Sequence, residues 1–161
     1  MEVRRLVAVS AVGLAGAVAF TAVTALGGSS GSGSAPLFAV LHGGSEVAAG
    51  SGVGQSNAGD PDAVGSATVV VVSPTRICYS IVVSGISPDP AAAHIHKGAS
   101  GIAGPVVVPL QHPTKGNPGT SSGCVTASRS VVSGIQRNPG NWYVNVHNAD
   151  YPGGAVRGQL F

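Results

Sequence analysis

The sequence has few charged residues. Asp, Glu, Lys and Arg make up 9% of its 161 residues, whereas soluble domains contain about 25%. Disorder driven by charge is therefore excluded. The chain is also poor in Leu, Met, Glu and Lys, which sustain amphipathic helices. It has instead 43% hydrophobic residues, mostly Ala and Val, with 25 Gly and 11 Pro. With about 125 residues left after an N-terminal apolar run, this composition predicts one Val-rich β-domain punctuated by turns.

The sequence also lacks a cluster of positive charge. The formal net charge is +2, and six basic and five acidic residues remain from residue 36 onward. The basic residues are spread along the chain without interleaved aromatic residues: Arg76, Lys97, Lys115, Arg129, Arg137 and Arg157. This pattern predicts no nucleic-acid partner.

The N-terminus is predicted to be a signal peptide or membrane anchor, residues 1–26. Two Arg residues precede an uncharged apolar run at 6–26, an order typical of secretion signals. Without cleavage the same run is long enough to span a bilayer. Residues 27–35 are predicted to be a flexible Gly/Ser linker and residues 36–161 the β-domain. We expect a secreted or extracytoplasmic protein, with a membrane contact only through residues 6–26 if they are retained.

The two cysteines, Cys78 and Cys124, are the only possible intramolecular pair. An even cysteine count in an oxidising compartment favours a disulfide. Metal ligation by the two isolated cysteines is the alternative. We predict the disulfide.

Period-2 patterns between turn residues predict about eight short strands and no helix of useful length. The predicted strands are 38–41, 65–73, 76–84, 93–96, 105–110, 124–128, 141–148 and 155–160. Many short strands separated by turns predict an all-β fold, an antiparallel, Greek-key-like β-sandwich or barrel.

Alternation within the strands assigns their faces. The core candidates are Ile77, Tyr79, Ile81 and Val83 on one strand, and Trp142, Val144 and Val146 on another. Tyr143, Asn145 and His147 alternate with the second set. We therefore expect these three side chains, like the two histidines of the segment 93–96, to lie away from the apolar core.

Four motifs in order carry a resemblance to a known family: L-x-G-x-x-E-V at 41–47, A-H-I-H-K-G at 93–98, G-P-V-V at 104–107, and W-Y-V-N-V-H with P-G-G-A-V-R-G-Q-L within 142–160. The chain resembles the CHRD domain, named for chordin and also found in secreted bacterial proteins. The resemblance runs from about residue 38 to 161 and implies an extracellular all-β module. The family often has prolines after the Glu-Val pair, where this chain has Ala48 and Ala49.

The H-x-H pair His94 and His96 is the strongest chemical signal. Side chains at i and i+2 of a strand share a face, so two imidazoles can converge on one metal ion. His147 is the best candidate for a third ligand, with Asp150, His112 or His42 able to complete the site. Imidazole-rich ligation suits zinc or copper. The alternative is that these histidines hydrogen bond at strand ends and orient the Gly-rich loops.

Glu46 and Arg157 lie in motifs at opposite ends of the domain. In a chain with so few charges we predict that they form an ion pair, with the guanidinium bidentate to the carboxylate. The alternative is two solvated side chains at the rim of the domain.

The sequence gives little support for an enzymatic function. A strand with H-x-H, further histidines and a disulfide are also ingredients of copper-zinc superoxide dismutases. That family needs a bridging histidine and a second metal subsite, which five histidines can hardly supply. We therefore expect a non-catalytic binding or structural module whose partner is an extracellular protein or cell-envelope component. The alternative is a His-based zinc or copper protein, with a redox enzyme as its remote extension.

Overall fold

The computed structural model describes residues 34–48 and 58–161. It has eight strands and one α-helix: β1 Leu37–His42, β2 Val64–Ser73, β3 Arg76–Ser84, β4 Ala92–Lys97, β5 Val106–Leu110, β6 Gly119–Thr126, α1 Arg129–Arg137, β7 Trp142–His147 and β8 Val156–Gln159. Residues 32–161 form one compact unit that contains every strand, the core and the disulfide. A chain that begins at residue 32 therefore keeps all the interactions described below.

The strands form a single antiparallel sheet in the order β5-β4-β7-β8-β1-β2-β3-β6. Its first and last strands approach each other, so the sheet is a nearly closed barrel. The predicted all-β, antiparallel fold class is confirmed. Because every neighbouring pair is antiparallel, strand termini gather at two ends of the barrel. We call the end where β4 finishes and β7 starts the helical end, since α1 connects β6 to β7 there.

The barrel interior holds the predicted core. Ile77, Ile81 and Val83 of β3 are completely buried, and Val144 and Val146 of β7 meet them from the other side of the barrel. Alternation therefore identified the inward face of both strands correctly. The β-branched side chains fill a pleated surface on which they pack well.

The sequence predicted no helix of useful length, and the structure differs in having one of nine residues, α1. Ser128 caps α1 by accepting a hydrogen bond from the Val131 amide, and Val132 and Ile135 are buried in the core at the helical end. A helix of nine residues with two buried side chains leaves too short an apolar pattern for sequence periodicity to detect. The strand predicted at 124–128 is correspondingly displaced, since β6 runs through a Ser- and Gly-rich segment at 119–126.

The predicted disulfide between Cys78 and Cys124 is confirmed. The two residues are directly opposite each other on β3 and β6 and point to the outer face of the sheet. The bond therefore links an edge strand of the barrel to its neighbour.

The predicted segments 1–26 and nearly all of 27–35 lie outside the described residues. Within the described ranges, no helix has the length and apolarity needed to cross a membrane.

We expect the Cys78→Ala/Cys124→Ala double variant to lose about 2 to 4 kcal/mol of unfolding free energy, because the cross-link restricts a long loop of the unfolded chain. Equilibrium urea unfolding without reductant measures the loss. The control is Ser80→Ala/Ser122→Ala, a facing pair on the same strands and the same face. Equal losses in the two double variants would contradict the prediction.

Candidate metal centre

The outer face of β4, β7 and β8 is polar and yet largely buried. Strand register places His94 beside Asn145, His96 beside Tyr143, and Asn145 beside Arg157. Asn145 and Arg157 are each 1% exposed, and Tyr143 is 2% exposed. The sequence placed the Tyr143, Asn145 and His147 side chains away from the apolar core. It did not indicate that this second face would also be covered.

Three loops provide the cover. The segment 98–105 contributes backbone groups of Gly98, Ala99 and Gly104, which hydrogen bond to the side chains of this face. The segment 148–154 contributes the carbonyl oxygens of Pro152 and Gly153. The segment 43–48 brings Glu46 toward Asn145. We call the resulting set of side chains between sheet and loops the covered polar face.

His94, His96 and His147 converge on this face. One ring nitrogen from each lies within 4.8 Å of the others, and His94 Nδ1 is 3.1 Å from His147 Nε2. Two imidazole nitrogens bound to one tetrahedral zinc ion lie about 3.3 Å apart, from Zn–N bonds of about 2.0 to 2.1 Å. The spacing of the first two ligands is thus already close to that of a metal-bound pair.

Backbone carbonyls fix the tautomers of two of the three rings. His96 Nδ1 donates a hydrogen bond to Gly104 O at 2.9 Å, and His147 Nδ1 donates to Pro152 O at 3.1 Å. In each ring Nε2 then carries the lone pair. That of His147 accepts a hydrogen bond from His94 Nδ1, whereas that of His96 has no partner among the described residues. Metal-bound histidines typically have this arrangement, in which the second ring nitrogen is held by a carbonyl or carboxylate.

His96 Nε2 is buried and has no hydrogen-bond partner. A buried acceptor without a partner costs about 1 to 3 kcal/mol, and native structures contain few of them. Its position beside two further imidazole nitrogens gives this atom a possible partner, a bound cation.

Burial lowers the pKa of all three histidines, and it lowers the pKa of His147 to about 4, with the proximity of His94 as a second cause. Near neutral pH the rings are therefore uncharged. The neutral imidazole is the form that binds a metal ion.

A cleft of about 480 Å³ lies over the three rings. Much of its lining is small, including Ala91, Ala103 and Gly153, and Glu46 also faces it. The histidines thus form one wall of an accessible site, and a further ligand could reach a metal ion from the cleft.

The other predicted ligands are not part of this cluster. In the described part of the chain, the three histidines are the single group of three or more metal-ligating side chains. Asp150 is exposed, within a turn in which Asn148 Oδ1 accepts a hydrogen bond from the Tyr151 amide. His112 is bound to the Pro113 carbonyl, and His42 is exposed at the end of β1.

Glu46 and Arg157 are both buried on the covered polar face, but the predicted bidentate ion pair is not formed. Among the described residues the one ion pair joins exposed Lys115 and Asp89. Arg157 lies 3.5 Å from the centre of the Tyr143 ring and donates to Ala99 O and Gln159 Oε1. Both hydrogen bonds come from Nη2, and Nη1 has no partner within the described ranges. The guanidinium therefore acts on Glu46 only through space.

The sequence did not single out Tyr143, Gln159 or Gly154 as parts of this site. The Tyr143 ring is stacked between the His96 ring, at 4.8 Å, and the Arg157 guanidinium. Its hydroxyl contacts the backbone of Gly104, so it also holds the loop that orients His96. The available signal was the period-2 alternation of polar residues on β7, which places Tyr143 on the same face as His147.

A family model described as the CHRD domain matches residues 37–160. The match includes all eight strands, the three histidines and the loops that cover them. No curated protein matches the chain at a significant level.

Gly154 has a positive φ of 144°, and a Cβ atom there would collide with the Glu46 carboxylate and the Asn145 amide. We expect Gly154→Ala to lower the unfolding free energy by about 1 to 3 kcal/mol, because the backbone conformation is strained for other residues. Thermal or urea unfolding measures this. Gly153→Ala is the matched control, since its Cβ meets nothing within 4 Å. Equal stability of the two variants would contradict the expectation that residue 154 must be Gly.

The pKa of the Glu46 carboxyl is raised, chiefly because burial disfavours its charged form. The positive charge of Arg157 lowers this pKa and so offsets part of the increase. Between the pKa of Glu46 in the unfolded chain and its higher pKa in the folded one, the native state binds more protons than the unfolded state. The contribution of Glu46 to the free energy of unfolding therefore falls as pH rises through this range. We expect Glu46→Gln to gain stability relative to the parent as pH rises above 4.5, the ordinary pKa of a Glu side chain. Urea unfolding from pH 4 to 8 measures the difference. A difference that stays constant with pH would contradict this expectation.

Proposed function

The chain belongs to the CHRD domain family, and from this premise we propose that it is an extracytoplasmic, non-catalytic binding module that holds one zinc or copper ion between His94, His96 and His147. The observation that carries the proposal is the convergence of three imidazole nitrogens on one accessible point.

The extracytoplasmic location is consistent with two findings. The domain contains a disulfide, and such bonds persist in oxidising compartments. The CHRD domain is an extracellular family. The charged, then apolar order of the N-terminal residues supports export in addition.

The metal assignment rests on the way the three rings are held. The two fixed tautomers leave a lone pair on Nε2 of His96 and of His147. A bound cation would replace the hydrogen bond that His94 Nδ1 donates to His147 Nε2. A protein site of three histidines leaves one tetrahedral position for another ligand. Neutral imidazoles favour zinc and copper over the harder cations calcium and magnesium.

The metal would have a structural and a binding role. His94 and His96 belong to β4 and His147 to β7, so one ion would link two paired strands. The same rings hold the loops at Gly104 and Pro152. A side chain or small anion of an extracellular protein or cell-envelope partner could occupy the remaining position from the cleft.

The test is metal binding to a chain that begins at residue 32, freed of metal with a chelator. We expect one equivalent of zinc or copper in isothermal titration, and a gain in unfolding free energy of about 2.7 kcal/mol at a free metal concentration of one hundred times Kd. His94→Ala/His96→Ala and His147→Ala should each lose most of both effects.

The control is His112→Ala, which removes a histidine outside the cluster. It should bind metal as the parent does, and circular dichroism should show that all metal-free variants are folded. If the parent binds no metal, or if the double variant binds it equally well, the proposal is wrong and the histidines serve to fix the loops.

A further inference from the structure

The exposed basic residues gather at one end of the barrel although they are far apart in the sequence. Arg76 begins β3 and Lys97 ends β4, both at the helical end. Arg129 and Arg137 begin and finish α1, which lies at the same end. All four side chains are exposed. The fold thus brings together charges that the sequence shows only as separate residues.

The acidic side chains lie elsewhere. Asp62, Asp89 and Asp150 are exposed in loops at the opposite end of the barrel. Lys115, the remaining exposed cation of the described residues, is also there and pairs with Asp89. At the helical end, the described residues include no Asp or Glu, so the positive charge of that end is not neutralised by neighbouring side chains.

Large apolar side chains are exposed around the same end. They are 38% to 65% exposed: Phe38, Val72, Ile102, Val106 and Phe161. Phe38 and Val72 lie near strand termini, Ile102 lies between β4 and β5, and the rings of Phe38 and Phe161 contact each other. We call these five residues, with the four basic ones, the basic apolar rim.

From this combination we propose that the basic apolar rim docks on the surface of an anionic lipid membrane. Lys and Arg side chains are attracted to an anionic lipid surface over about one Debye length, roughly 8 Å at physiological ionic strength. Exposed Phe, Ile and Val side chains gain by entering the boundary between headgroups and acyl chains. The two kinds of side chain at one end of the domain fit both parts of such a surface.

The occupant is a membrane rather than a soluble polyanion because of the apolar side chains. A polyanion would use the four cations and leave five large apolar groups in water. The described chain also begins at this end, where Ser34 hydrogen bonds to Val71 O. The rim contains none of the three histidines, and although Val106 also lines their cleft, the proposal does not depend on metal binding.

The test is co-sedimentation of the chain from residue 32, in chelator, with vesicles of phosphatidylcholine alone or mixed with phosphatidylglycerol. We expect binding to the anionic vesicles that weakens with salt, and little binding to phosphatidylcholine. Arg129→Glu should weaken it about fivefold or more. Lys115→Glu is the matched control, since it makes the same change in charge at the other end and should leave binding nearly unchanged.

A second variant tests the apolar contribution. Ile102→Ser/Val106→Ser replaces two exposed side chains and keeps every charge, and it should also weaken vesicle binding severalfold while leaving binding to soluble polyphosphate unaltered. Unchanged vesicle binding by this variant would overturn the membrane proposal in favour of a general polyanion site. Equal effects of Arg129→Glu and Lys115→Glu, or no binding to anionic vesicles, would also overturn it.

Discussion

The structure depends on a β7 strand that is buried on both of its faces. One face packs Val144 and Val146 into the barrel core, and the other places Tyr143 and Asn145 beneath loops. A polar group removed from water needs a hydrogen-bond partner. The loop backbones therefore have to supply donors and acceptors at defined positions, and this requirement determines both the conformation of the loops and the orientation of the histidine rings.

Local patterns were sufficient to identify most of the strands and their inward faces. The pairing of the cysteines followed from there being only two of them. Alternation depends only on neighbours in the chain, so Ile81 of β3 could be assigned to the core without knowledge of its partners. The grouping of His94 and His96 followed from the same rule. Bringing His147 beside them requires β4 to pair with β7, a contact between residues about fifty positions apart. The sequence offered His147 as a third ligand from its place on the polar face of its own strand, but the pairing of the two strands could not be predicted from periodicity.

The sequence could not indicate which loops and neighbouring strands cover the polar side chains. Glu46 and Arg157 were recognised as unusual charges, but the contact between Arg157 and the Tyr143 ring depends on a cross-strand neighbour and a loop that close over both. The short helix α1 was missed because only two of its nine residues, Val132 and Ile135, are buried, which is too few to form a recognisable apolar repeat. Likewise, the separation of basic and acidic residues to two ends appears only when strand directions are known.

The nearly closed sheet has one more consequence, for association between copies. A free strand edge presents unpaired amide and carbonyl groups that can template pairing with another chain. Among the strands described, the two edges belong to β5 and β6, and these approach each other across the seam of the barrel. Pro109 also removes one amide donor from β5. The domain is rich in Val and has little net charge to keep copies apart. The approach of β5 to β6 therefore reduces the free strand edge through which copies could pair into fibres.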